Sequence, residues 1–201
     1  MLDQETLGKL ARRLFEARKS RIQLRQFSIQ YPDITIEDGY SIQREWVKLE
    51  LADGKQVKGR KIGLTSRAMQ RASEITEPDF APLLDDMFFS EGSDIPVSLF
   101  IKPRVEVELG FILSKPLQGP NITLFDVLSA VEYVTPAIEI IDSRIEQFDR
   151  ETQAMRKVTD TISDFAANAG VVLGGRPVKP MDFDLRWVGA LLHKNGALEE
   201  T

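Results

Sequence analysis

The spacing of apolar residues changes character near residue 57. In "ETLGKLARRLFEARKS", Leu7, Leu10, Leu14 and Phe15 recur on one helical stripe, which predicts an amphipathic helix. A second helix is expected after "YPDIT". Thr35 suits its N-cap with Asp38 three residues on, Ile42, Trp46 and Leu49 line one face, and "ADGK" ends it. Beyond this point the period shortens. "GRKIGLT", "DDMFFSEGSDIP", "RVEVELGFIL", "PAIEIIDSR", "NAGVVLGG" and "LRWVGALLHKNGALEE" are short β-rich runs punctuated by Gly, Pro, Asn and Asp. One helix interrupts them at "TLFDVLSAVEYV", with Thr123 as N-cap and Asp126 at its third helical position. The sequence closes on a strand, an Asn195-Gly196 type I′ turn and the start of a return strand. A complete β domain rarely ends on an unpaired strand, so the expectation is a chain shortened from a longer protein.

This pattern predicts an α+β fold with an N-terminal helical region over 1–57 and a β-rich region over 58–201. Composition narrows the function. With 42% hydrophobic residues, 201 residues suffice for one proper core. A net charge of −5 with no lysine- or arginine-rich face argues against nucleic acid as a partner. No apolar run reaches the length of a membrane span, and "MLDQETLGKL" lacks a signal-peptide core, so a soluble, cytoplasmic protein is expected. Cysteine is absent and His193 is the lone histidine. Any metal must therefore sit mainly on oxygens, which favours magnesium, manganese or calcium.

One stretch carries chemistry. In "PRVEVELGF" a period of two sends Glu106 and Glu108 to one face with Arg104, and Val105, Val107, Leu109 and Phe111 to the other. A third glutamate, Glu139, sits in the apolar run "TPAIEIIDSR", sharing a face with Ala137 and Ile141. Glutamate enters a strand core only when paired or when it coordinates a metal. A hard divalent cation would cancel the repulsion of such a trio. The same alternation also describes half-exposed strands whose glutamates face solvent, and periodicity leaves both readings open.

Taken together, "GRKIGLTS", "EPDFAPLLDDMFF", "RVEVELGF", "PAIEIIDSR" and "DTISDFAANAGVVLGGRP" resemble the bacterial 2-oxoalkenoate hydratases and the related 4-oxalocrotonate decarboxylases of the fumarylacetoacetase superfamily. The resemblance runs in order through essentially the whole chain. It implies a mixed β-roll or barrel of the fumarylacetoacetase C-terminal type, here truncated, with the helical region packed on it, and a homo-oligomer. It implies that Glu106, Glu108 and Glu139 bind magnesium or manganese. The reaction it implies is hydration of a small 2-oxo dicarboxylate, 2-oxo-hept-4-ene-1,7-dioate, in homoprotocatechuate breakdown. Hydration of 2-oxopent-4-enoate and decarboxylation of 4-oxalocrotonate are the sister activities, and a shortened chain could serve only as a non-catalytic interaction partner.

Residue by residue, "GRKIGLT" matches the family's active-site lysine segment, which makes Lys61 the candidate for proton transfer; otherwise it is a surface lysine at a strand end. Asp79, on an expected loop beside Pro78, is the second acid/base candidate or a turn former. Ser66 and Asp164 are candidate substrate-binding residues. Ser66 could equally start the helix "SRAMQRAS"; Asp160 and Asp164 are also candidates for orienting Lys61 or a metal-bound water, or for capping the small helix in "SDFAANAG". Arg67, Arg144 and Lys157 are candidates for a distal substrate carboxylate. His193 reads as structural, and "LGGRP" as a turn with no phosphate role. The family usually has asparagine after the aspartate matching Asp164, whereas this chain has Phe165.

Overall fold

The computed structural model describes residues 1–200, and among them the two long N-terminal helices start where the sequence places their caps. Helix α1 spans Gln4–Ser20; Asp3 Oδ1 accepts the Thr6 N–H at 2.8 Å, and the helix ends at Arg21 in the left-handed region. A single turn, α2 (Phe27–Gln30), precedes α3 (Ile36–Ala52). There Thr35 and Asp38 cap each other reciprocally, as a capping box requires. Leu7, Leu10, Leu14, Ile42 and Trp46 are buried on the facing sides of α1 and α3; Phe15 and Leu49 are only partly covered.

Strand β1 (Val57–Gly63) follows, then α4 (Arg67–Ala72) and β2 (Asp79–Leu84). A two-residue strand β3 (Phe88–Phe89) and the long strand β4 (Arg104–Leu113) lead to α5 (Leu124–Ala130) and β5 (Val131–Ile141). The Thr123/Asp126 cap of α5 forms, but the helix stops at Ala130. Val131, Tyr133 and Val134, read in sequence as its last turn, open β5, because branched and aromatic side chains fit a pleated surface better than a helix. Helix α6 (Val158–Ser163) precedes β6 (Asn168–Leu173), and β7 (Leu192–Lys194) and β8 (Ala197–Glu200) form the terminal hairpin. Asn195 and Gly196, both at positive φ, make its turn as expected. The run before it differs: Leu185–Trp187 is a 3₁₀ turn rather than strand.

The chain divides into two compact units. Unit 1 comprises 1–88, 94–104 and 140–170; unit 2 comprises 89–93, 105–139 and 171–201. Unit 1 holds the main core, in which Leu10, Leu14, Phe27, Ile42, Trp46, Leu84, Met87, Ile145 and Phe165 are all but inaccessible. Strands β1 and β2 pair antiparallel within it, with Lys61 opposite Ala81 and Gly63 opposite Asp79. Unit 2 is built on strands hydrogen-bonded in the order β3-β6-β5-β4. Its Gly110 fits a close approach: a Cβ there would lie 2.8 Å from Leu173 Cδ2. Val105, Val107 and Phe111, the apolar stripe of β4, remain about half exposed, and β4 is the outermost strand in that order. The architecture is thus mixed α+β. Among the described residues no helix is long and apolar enough to cross a membrane.

Candidate metal centre

Glu106, Glu108 and Glu139 converge. Each offers a carboxylate oxygen, and the three oxygens lie within 4.8 Å of one another in unit 2. The sequence explains how. Glu106 and Glu108 are two residues apart on β4, so they share a face, and β5 is the hydrogen-bonded neighbour that carries Glu139 to them. Glu139 is 5% exposed, whereas Glu106 and Glu108 are exposed. The site therefore has a closed side and an open side. Oxygens around one ion sit at most about twice the metal–oxygen distance apart, ~4.2 Å for magnesium and ~5 Å for calcium. The 4.8 Å spread lies inside the calcium limit and above the magnesium one, so the smaller ion requires the exposed Glu106 and Glu108 side chains to close in. The donor set is all carboxylate, which suits a hard divalent cation, and three charges against two leave a local charge of about −1.

Lys61 and Asp79 meet in unit 1. Lys61 shares a face of β1 with Gly63, and Gly63 lies opposite Asp79. A Cβ on Gly63 would collide with Asp79 Oδ1 and lie 3.3 Å from Lys61 Cε, so both side chains cross above a position where only glycine fits. Lys61 Nζ donates to the Ala166 carbonyl at 2.9 Å. Asp79 is not on a loop, as the neighbouring proline suggests, but opens β2 and is 2% exposed. Tyr40 stacks on Phe80 at 4.4 Å; burial raises its phenol pKa, and the charge of Asp79 adds to the effect.

The Ala166 carbonyl owes its direction to an unusual corner. Phe165, Ala166 and Ala167 are three consecutive non-glycine residues at positive φ, 51°, 49° and 60°. Each conformation of this kind costs roughly 1–2 kcal/mol and persists only where the surroundings enforce it. Here Asp164 and Arg144 do so: Arg144 Nε donates to Asp164 Oδ1 at 2.6 Å, and the backbone N–H groups of Arg144 and Ile145 donate to Oδ2. Phe165 is fully buried against Trp46.

The other expected site residues divide plainly. Ser66 caps α4, its hydroxyl accepting the Met69 N–H at 3.2 Å. Asp164 is 0% exposed and its carboxylate is occupied by Arg144 and the backbone. Arg144 is consequently unavailable to a distal substrate carboxylate; it is 3% exposed in its side chain, donates to Asp164 and Asn168 O, and lies over the Trp46 ring. Asp160 caps α6 through the Lys157 N–H and also accepts from Ser28 N and Oγ. Arg67, Lys157 and His193 are exposed. In "LGGRP", Gly174 and Gly175 donate to Pro136 O and Glu91 Oε2, and no helix follows. Two elements escaped the sequence reading. The Ala166 carbonyl has no sequence signature. Gly63 had one, since an isolated glycine inside a strand marks a close approach.

No family model matches the chain. It is 61% identical over all 201 residues to the 2-oxo-hept-4-ene-1,7-dioate hydratase of Escherichia coli, covering 75% of that protein. It is 38% identical, again over its whole length, to the 2-hydroxypent-2,4-dienoate hydratase of Pseudomonas putida, covering 88% of it. The 4-oxalocrotonate decarboxylase from Pseudomonas putida G7, complexed with magnesium and adipate, superposes with a TM-score of 0.90 at 29% identity, over 99% of this chain and 73% of that one. The same decarboxylase complexed with calcium and acetate gives 0.89. With identity of this extent to named hydratases, and a carboxylate trio able to hold the kind of ion seen in its structural neighbours, the chain belongs to the family of 2-oxoalkenoate hydratases and 4-oxalocrotonate decarboxylases.

Proposed function

We propose that this chain hydrates 2-oxo-hept-4-ene-1,7-dioate to 4-hydroxy-2-oxoheptanedioate, with Glu106, Glu108 and Glu139 holding magnesium or manganese. The observation that carries the reading is the convergence of those three carboxylates in a chain 61% identical to a hydratase of that substrate. A divalent ion bound there supplies Lewis acidity to the 2-oxo group and the adjacent carboxylate.

The chain's own residues handle protons. The substrate loses a proton from C3 and gains one at C5, which conjugates the remaining double bond with the carbonyl. Water then adds hydroxyl at C4 and hydrogen at C3. Lys61 and Asp79 are the acid/base pair for these transfers, because both side chains cross Gly63 and so lie within reach of one another. Lys61, anchored on the Ala166 carbonyl, has a defined direction from which to give or take a proton. Asp164 acts at one remove, by holding the corner that aims that carbonyl. Ser66, which caps α4, is the proposed substrate contact beside them.

On this reading residues 58–201 form the catalytic region, a roll of the fumarylacetoacetase type, and 1–57 the helical region beside it. The protein works in the cytoplasm as a homo-oligomer, and the half-exposed Val105, Val107 and Phe111 support association.

The test follows the loss of dienoate absorbance by purified protein with added magnesium or manganese. The proposal expects metal-dependent loss that is faster with the seven-carbon dicarboxylate than with 2-oxopent-4-enoate. Preference for the mono-acid would move the chain to the pentenoate hydratases, whose 38% relative it also matches. No metal-dependent change with either would leave a non-catalytic partner.

A further inference from the structure

Unit 1 contains a cavity of about 350 Å³ that no residue of the proposed reaction lines. Its walls carry an excess of positive charge: Lys102, Arg104, Arg150 and Arg156 against Asp142 and Glu146. Both acids are already compensated. Glu146 is ion-paired with Arg150, and Asp142 accepts the backbone N–H groups of Ile101 and Lys102 at 2.8 and 2.7 Å. The remaining three cations have no carboxylate within ion-pair distance among the described residues. Arg104 donates to the neutral Gln147 side-chain oxygen, and Arg156 donates to Ser143 Oγ at 2.6 Å.

Arg156 is the informative one. Burial pulls its guanidinium below the ordinary arginine pKa, and the neighbouring Arg144 and Arg104 push the same way, against Asp164 and Asp160. A desolvated cation beside other cations is costly unless an anion neutralises it. Phe148, half exposed, supplies an apolar wall to the same cavity.

From this geometry we infer that the cavity is a binding site for a small organic carboxylate, seated on Arg104 and Arg156 with Lys102 at the rim and its carbon body on Phe148. Planar guanidinium groups recognise carboxylate through paired hydrogen bonds, and a volume of this size admits a small organic acid. A bare inorganic anion would use the arginines and leave the aromatic wall without a partner. The inference does not rest on the hydratase reading, since none of the three glutamates, Lys61 or Asp79 takes part.

The experiment is titration calorimetry of the full chain with succinate and with inorganic phosphate, at ionic strength matched by sodium chloride. Saturable succinate binding is expected in the wild type and in Glu139→Gln, weakened at least tenfold in Arg156→Met and in Arg104→Met, and tighter than phosphate binding. Lys102→Gln, at the exposed rim, should weaken it about threefold and serves where an arginine variant fails to fold. Succinate binding lost in Glu139→Gln but kept in Arg156→Met would place the anion at the glutamates and overturn the inference. Phosphate binding as tightly as succinate would remove the organic ligand from it. The absence of saturable heat from both anions would end it, while leaving metal-dependent turnover untouched.

Discussion

Phe165 lies flat on Trp46, with ring centroids 3.8 Å apart and planes 13° from parallel. This stack joins α3 to the left-handed corner whose Ala166 carbonyl receives Lys61, so a core contact and a candidate catalytic side chain share one support. Phe165→Ala should destabilise the protein by about 3–5 kcal/mol, the usual cost of emptying a buried aromatic site, and Phe165→Leu by roughly half of that. Urea denaturation at constant m-value measures both. A change under about 1 kcal/mol for the alanine variant would show that the stack does not hold the corner.

Gly63 and Asp79 compete for one space. A methyl group at Gly63 meets Asp79 Oδ1, so Gly63→Ala is expected to cost about 1–3 kcal/mol by overpacking and to lower kcat at least tenfold. In the Asp79→Ala background the stability cost should largely disappear, because the clashing carboxylate is gone. A double-mutant cycle reads this coupling directly. Additive effects would mean that the two positions are independent.

The glutamate trio predicts a sharp contrast between carboxylates of the same unit. Glu106→Gln or Glu139→Gln removes one of three charges from a cluster within 4.8 Å, and manganese affinity should fall at least tenfold. Glu132→Gln, on the same strand as Glu139 but outside the cluster, should leave affinity within about twofold. Manganese titration followed by electron paramagnetic resonance distinguishes the three variants. Equal affinity in all of them would relocate the site.

Asp149 gives the fold an acid limit. Its carboxylate is held well below the ordinary value of 3.8, first by the Arg25 side chain and then by the Thr152 backbone N–H. A depressed carboxylate contributes stability that is present above its unfolded pKa and lost as pH falls through the folded one. The wild type should therefore exceed Asp149→Asn in Tm by a constant margin at neutral pH, and the margin should close below about pH 4. A margin that widened on acidification would reverse the assignment.

Much of this molecule was legible in one dimension because its signals are local. The caps at Thr35 and Thr123, the stripe of Leu7, Leu10 and Leu14, and the Asn195-Gly196 turn all depend on residues within a few positions of one another. The pairing of Glu106 with Glu108 is likewise a consequence of strand period alone. Other features needed contacts between distant segments. The end of α5 at Ala130 is completed by strand pairing, which takes up the β-favouring residues that the apolar spacing had carried into the helix as far as Val134. Arg144 looked like a free cation until the fold brought Asp164 against it, and Asp79 looked like a turn residue until Gly63 made room for it across a strand pair. The exposure of the apolar stripe on β4 is of the same kind, since alternation determines which side chains share a face but not what lies opposite that face. Side-chain type and spacing thus determined which groups were candidates for the site. Only the tertiary structure decided which were brought together, because convergence depends on pairings between segments far apart in the chain, and no local pattern encodes those.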